Sequence, residues 1–282
     1  MTPKAFIKLL VPPLIAHGYR PLRGSKENSV YGLSGDYRAW HEAVRASTGY
    51  DGEIILEKTK VALLKVKNGQ AVYERDSVVF DEIEYAWPLL AGLMVVAAQS
   101  GGKLDVLDFG GSLGSTYFQN RAFLSRLAKV KWNIVEQPRY VETGKEWFED
   151  KHLKFYLHVE DCLAEAQPNV VILGSVLQYL EHPYDILRGL LKLPCNDIII
   201  DRTPFWNGAT DRLCVQHVPP SIYPASYPSW IFSTRRFRSH LHEGWEIVAE
   251  FDNQDNLEGP VDFAYRGMII TRREPYSDQV SR

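Results

Sequence analysis

Apolar and polar positions follow two regimes along the chain. Beyond residue 101, short apolar runs alternate with stretches of helical period, the pattern of βαβ units built around a parallel sheet. Runs at 104–108, 131–136, 153–157, 170–173 and 197–201 predict five strands, and 118–129, 140–150 and 183–193 predict helices among them. Pro183 falls in a first helical turn, where its missing N–H costs little. Val141, Trp147 and Phe148 are the expected core residues of helix 140–150. Two more strands, 245–252 and 263–272, follow a helix predicted over 230–242 and are expected to pair antiparallel at one edge. The segment 203–229 interrupts this rhythm with Pro204, Pro219, Pro220, Pro224 and Pro228 among aromatics, and predicts a long functional loop.

Upstream the periodicity is weaker. Residues 18–35 show no sustained period and read as loop, closing an irregular arm over 1–35. Ser34 or Asp36 is placed to cap a helix carrying Tyr37, Trp40, Ala43 and Val44 and ending near Gly49. Helices are predicted over 53–67 and 81–99, with an irregular or helical element over 70–80 after the Asn68-Gly69 turn. The expectation is an α/β protein in which a helical cap, 36–100, precedes a sheet domain, 101–273, and a polar tail, 274–282.

One stretch joins a buried strand, a glycine turn and a helix start within fifteen residues: LDVLDFGGSLGSTYF, 104–118. Gly110, Gly111 and Gly114 let the backbone turn sharply and a ligand approach closely. A dinucleotide G-x-G-x-x-G would need glycine where Ser112 and Ser115 stand. In an open α/β sheet, ligands sit across the carboxyl ends of the strands. The residues there are Asp108 to Gly114, then Glu136 and Gln137, then Glu160 and Asp161, then Ser175 to Tyr179, and finally Asp201 and Arg202. Glu136, 28 positions after Asp108, suits two ribose hydroxyls; Glu160 and Asp161 suit an adenine amino group, and Asp161 alternatively caps a helix.

The run from Asp108 to Gly114 resembles motif I of the class I S-adenosylmethionine-dependent methyltransferases, with Ser112 at its central glycine. GSVLQYLEHPYDIL, 174–187, is similar to the segment after strand four of many small-molecule methyltransferases. That similarity implies that Ser175, Val176, Leu177, Gln178 and Tyr179 face the methionine end of the cofactor and the acceptor. VLDFGGSLGSTYFQNR, WNIVEQPRYVETGK, SVLQYLEHP, IIIDRTPF and IYPASYPSW, with YDGEIILEK and AVYERDSVVF upstream, resemble a bacterial methyltransferase family associated with surface-polysaccharide (O-antigen) gene clusters. The resemblance spans about 31–251. It implies a Rossmann-like class I methyltransferase fold, seven-stranded and mostly parallel with helices on both faces, S-adenosyl-L-methionine as cofactor with S-adenosylhomocysteine as product, and a small or carbohydrate-linked acceptor methylated on oxygen or nitrogen.

A methyl group on a sulfonium is already activated, so alignment and exclusion of water are the protein's main tasks. A hydroxyl acceptor also needs a base, for which Asp201, His217 and His182 are the candidates. Trp206, Tyr223, Tyr227 and Trp230 could present aromatic planes to a sugar, or simply pack. Arg202 and Arg212, with Arg235, Arg236 and Arg238, could hold an anionic group of the acceptor, or form a solvated face.

A net charge of −3 and a pI near 6.3 give no basic field, so nucleic acid is not an expected partner. Cys162, Cys195 and Cys214 lack a C-x-x-C pair, which argues against disulfides or structural zinc and for a reducing cytoplasm; no His and carboxylate cluster has metal-ligand spacing. The apolar stretch 87–98 is interrupted by Pro88 and Gly92 and is short of the roughly 20 residues of a membrane span. Residues 5–19 lack a secretory cleavage pattern and are a candidate for peripheral membrane or partner contact. Two other readings stay open: an NAD-type sugar-nucleotide oxidoreductase or epimerase, disfavoured by the absence of Tyr-x-x-x-Lys, and a methyltransferase-like scaffold that binds without turnover.

Overall fold

The computed structural model describes residues 31–49, 52–219, 222, 224–241, 244–253, 255 and 257–274. The expected amino-terminal arm, the polar tail and Tyr223 lie wholly or almost wholly outside them. In chain order the first elements are β1 (Gly32–Tyr37), α1 (Trp40–Ala46), α2 (Gly52–Lys67), the hairpin β2 (Tyr73–Arg75) and β3 (Val78–Phe80), and α3 (Trp87–Gln99). Then follow β4 (Lys103–Phe109), α4 (Ser115–Leu124), β5 (Lys129–Val135), α5 (Pro138–Trp147), β6 (Leu153–Tyr156), α6 (Val159–Glu165) and β7 (Val170–Gly174). A 3-10 turn (Leu177–Tyr179) leads into α7 (Pro183–Leu190), β8 (Asp197–Trp206), β9 (Arg212–His217), β10 (Ser226–Ser233), α8 (Thr234–Ser239), β11 (Trp245–Asp252) and β12 (Phe263–Arg272).

Seven strands make the central sheet, in the order β6-β5-β4-β7-β8-β12-β11. All run parallel except β12, which is antiparallel to β8 and β11. This is the expected Rossmann-like fold, and the last two strands pair antiparallel at one edge as the sequence predicts. Adjacent residues of one strand point to opposite faces, and here both faces are buried. Val106, Ile134, Ile172 and Ile199 pack with α2, α3, α4 and α5, while Leu107, Val135, Val171, Leu173 and Ile198 pack with α6, α7 and α8. Each such buried side chain contributes about 1.5–3 kcal/mol, which is why these runs are continuously apolar.

Beyond Asp201, where its pairing with β7 ends, β8 continues to Trp206 and meets β10, which carries β9 and β1 as an antiparallel ribbon. The structure therefore corrects the loop predicted over 203–229: most of it is strand. Prolines misled the reading, yet β10 pairs along 227–231 on one side only, where the missing N–H of Pro228 is tolerated. The helix predicted over 230–242 shrinks to α8, because Trp230, Ile231 and Phe232 extend β10 and Ser233 caps the helix by accepting from the Arg236 N–H.

Upstream, Ser34 and Asp36 belong to β1 rather than capping a helix, and α1 begins after Ala39 without a side-chain cap. Residues 73–80 form the β2–β3 hairpin where the sequence predicts an irregular or helical element. Pro88 sits in the first turn of α3, which starts at Trp87 rather than at 81. Val141 and Phe148 are buried as expected, but Trp147 is 42% exposed, with the Lys60 ammonium over its ring.

Candidate functional site

Strand order reverses between β4 and β7, and an open α/β sheet takes its ligand in the crevice at the carboxyl ends of such strands. The turn after β4 forms one wall. Gly110 adopts φ +74°, and a Cβ there would lie 2.4 Å from Cγ2 of Val176, after β7. A Cβ on Gly111 would lie 2.5 Å from the Asp108 carboxylate. Backbone and neighbouring side chains thus meet with no space for another atom. Gly110→Ala is expected to destabilise the protein by about 2–4 kcal/mol, from left-handed strain plus overpacking, measured as a fall in the denaturant midpoint.

Left-handed backbone is rare away from glycine, and here its placement is informative. Among the described residues, the non-glycine positions with positive φ are Asp76, Ser77, Ser112, Ser175 and Arg202. Ser112, Ser175 and Arg202 follow the carboxyl ends of β4, β7 and the β7-paired part of β8; Asp76 and Ser77 turn the hairpin. At Arg202 the β8–β12 register also shifts, with Met268 opposite Ile200 and Arg266 opposite Thr203. Such a bulge re-aims side chains beside a site. Strain of this kind costs on the order of 1–3 kcal/mol per residue and collects where function needs it.

Carboxylates line the crevice. Asp108, 2% exposed, accepts from the Trp132 indole N–H at 2.9 Å. Burial pushes it up to about 7, against that hydrogen bond and with a smaller push from Glu136. Glu136 accepts from the backbone N–H of Ser112 at 3.3 Å and of Gln137 at 2.7 Å, and burial raises it despite both bonds. Asp201 accepts from the Asn253 amide at 2.8 Å and is likewise raised, chiefly by burial. Gln178 is fully buried; its amide nitrogen donates to Ser175 Oγ at 3.0 Å and to the Arg202 carbonyl at 3.2 Å, while its amide oxygen has no partner.

The β2–β3 hairpin bridges these strand ends. At one side Glu74, 1% exposed, accepts from the Ser115 hydroxyl at the start of α4 and from the Ser77 N–H at 2.8 Å. Burial pushes it up to about 7, only partly offset by those donors. At the other side Arg202 donates to Asp76 at 2.8 Å and to Asp255 at 3.2 Å, and Arg75 pairs with Asp255 as well. The sequence reading missed Glu74, Arg75, Asp76, Asn253 and Asp255. The segment YERDSVVF neither alternates nor carries a glycine or asparagine at its turn, so local pattern does not announce the hairpin.

The remaining predicted residues divide. Asp108, Gly110, Gly111, Ser112, Gly114, Glu136, Gln137, Ser175, Val176, Gln178, Asp201 and Arg202 lie along the crevice-side turns. Tyr179 donates to Gln216 at 3.0 Å and meets Tyr227 edge-on, and Trp230 donates to the Leu180 carbonyl at 2.9 Å. Tyr179 and Tyr227 thus form an adjoining aromatic pair, whereas Trp230 stacks on Trp40 and lines the cavity of His182. His217 bonds Ser34 at 2.9 Å within the β1–β9 ribbon. His182 lines a different cavity of about 280 Å³ with Tyr184, Asp211 and Arg236. Trp206 donates to the Thr210 carbonyl and lies under Arg212. Glu160 and Asp161 are exposed in the first turn of α6, whose cap position is His158, so Asp161 is not its cap. Arg212, Arg236 and Arg238 pair with Asp36, Asp211 and Glu250.

No protein-family model and no curated protein matches the chain. Solved structures with a similar fold include the N-terminal domain of EvdMO1 in the presence of S-adenosylhomocysteine and D-fucose, at 14% identity, 79% of this chain, 97% of that one and a TM-score of 0.45. Another is the 1,6-didemethyltoxoflavin-N1-methyltransferase of Burkholderia thailandensis, at 14% identity, 91% and 100% coverage and a TM-score of 0.43. A third is magnesium protoporphyrin IX methyltransferase from Synechocystis PCC 6803, at 13%, 80%, 99% and 0.44. Likeness at this level adds nothing to the chain's own geometry. Among the described residues, no helix is long and apolar enough to cross a membrane.

Proposed function

We propose that the protein is an S-adenosylmethionine-dependent methyltransferase that modifies a hydroxyl or amino group of a small or carbohydrate-linked acceptor, in surface-polysaccharide synthesis. The observation that carries this reading is the Glu136 carboxylate, anchored by the Ser112 and Gln137 N–H groups beside the glycine turn at the switch point. Those two bonds fix its direction and leave lone pairs for two ribose hydroxyls. The residues present suit the cofactor: the Glu136 carboxylate is anchored, among the described residues, by backbone N–H groups alone, and the Gln178 oxygen is a buried acceptor that still needs a donor. S-adenosylmethionine bound there supplies a methyl group on a sulfonium.

The chain's own residues do the rest. Asp108 supports the turn from below, against Gly111. Asp201 is the candidate base at this end of the sheet: burial raises it, and its carboxylate is positioned by Asn253. Arg202 is consumed by Asp76 and Asp255, which favours a neutral acceptor over the anionic one expected for that arginine. Tyr179 and Tyr227 offer rings beside the crevice for a sugar face. The polysaccharide setting rests on the sequence resemblance, and the cytoplasm is supported by three buried free thiols.

The test is a thermal-shift titration with S-adenosylmethionine, S-adenosylhomocysteine, NAD and a nucleotide sugar. A true ligand at 100 times its dissociation constant should stabilise the fold by about 2.7 kcal/mol. Stabilisation by the two sulfur nucleosides alone is expected; stabilisation by NAD or the nucleotide sugar alone would overturn the reading.

A further inference from the structure

The hairpin over the crevice carries more negative charge than its surroundings neutralise. Arg75 and Arg202 face Asp76 and Asp255, two cations against two carboxylates. Glu74 is a third carboxylate, buried between this network and the start of α4, and its bonded neighbours are a hydroxyl and an amide N–H. An ion in that position is costly unless a counter-charge arrives. An independent observation points the same way: the Gln178 amide oxygen, fully buried after β7, accepts nothing. The crevice is short of donors and of positive charge.

Position narrows the identity of the missing group. Glu136 stands after β5, on one side of the glycine turn, while Ser115, to which Glu74 bonds, opens the helix after that turn. A ligand whose ribose is held by Glu136 therefore has its other end available to the hairpin. We infer that Glu74 holds the ammonium group at the methionine end of the cofactor, making the β2–β3 hairpin part of the binding site. This inference rests on the cofactor reading above.

The experiment compares two ligands on the full chain by titration calorimetry: S-adenosylhomocysteine and 5′-methylthioadenosine, which has the same nucleoside without the amino-acid end. Loss of one charge-assisted hydrogen bond corresponds to about 10- to 100-fold in affinity. Glu74→Gln keeps the shape and leaves a neutral amide that the interior accepts more readily. It should weaken S-adenosylhomocysteine by that factor and change 5′-methylthioadenosine by less than about threefold, with Glu74→Asp recovering part of the difference. Equal weakening of both ligands would mean that Glu74 only shapes the fold, and no weakening of either would remove it from the site; both results overturn the inference. Failure of the wild-type protein to bind either ligand would instead overturn the cofactor reading and this inference with it.

Discussion

Glu136→Ala is expected to weaken S-adenosylhomocysteine binding by about a hundredfold or more, while the ligand-free protein unfolds at the same temperature as wild type or slightly higher. The two halves of that result have separate causes. A carboxylate that accepts from two ribose hydroxyls contributes two hydrogen bonds to a charged group, each about 1.5–3 kcal/mol. In the free protein, burial already disfavours the ionised carboxylate, and its two backbone donors do not fully offset this. Removing it therefore relieves the fold and disables the site. Calorimetric titration and a thermal melt check both. Binding within threefold of wild type would remove Glu136 from the cofactor site, and a large stability loss would recast it as a structural residue.

The second large effect is a stability that falls as the pH rises. Asp108 and Glu74 are both pushed by burial from ordinary values near 4 up to about 7. Between those limits the folded protein keeps two protons that the unfolded chain has released. Proton uptake by the unfolded state is thus the smaller, and stability declines through this window, levelling off above about 7. Each pH unit of displacement is about 1.4 kcal/mol per group, so the loss from pH 5 to pH 8 is several kcal/mol. The groups acting on Asp108 are Trp132 and Glu136; those acting on Glu74 are Ser115, Ser77, Asp76 and Arg202. Urea midpoints across this range check the slope, which the double variant Asp108→Asn, Glu74→Gln should flatten. An ammonium group at Glu74 meets that carboxylate ionised only above this window, so the affinity for S-adenosylmethionine should rise as the stability falls. A midpoint that is flat or climbs from pH 5 to pH 8 would show that these acids are ionised throughout.

The sheet was legible because parallel strands are buried on both sides. Val170 to Leu173 can only be an interior strand, since every side chain in it reaches one of the two cores. The glycine turn was legible for a similar reason: at Gly110 and Gly111 no side chain fits. What escaped depends on pairing between distant residues or on backbone that the residue type does not announce. The hairpin turns through Asp76 and Ser77 in left-handed conformation without a glycine or asparagine to signal it. Arg202 finds Asp76 126 positions away and Asp255 53 positions away, so its neutralisation is invisible to local pattern. Strand β10 was obscured by prolines whose cost depends on which edge is paired, and β1 by a glycine-rich sequence that takes its order from β9.

The ribbon β1–β9–β10 has a consequence for how the molecule assembles. Its outer strand bonds across a sequence separation of 183 residues, from Ser34 to His217. Loop-closure entropy for so distant a contact must be met before that pairing returns any stability. The sheet core, whose strands follow one another through short crossovers, can form from local encounters. The β1–β9 pairing, unlike the local β9–β10 pairing, is therefore expected to form late, and without β1 the strand β9 presents an unpaired edge, Leu213 to His217, to any other strand in solution. The earliest residues of the described chain are the ones that seal this edge of the sheet.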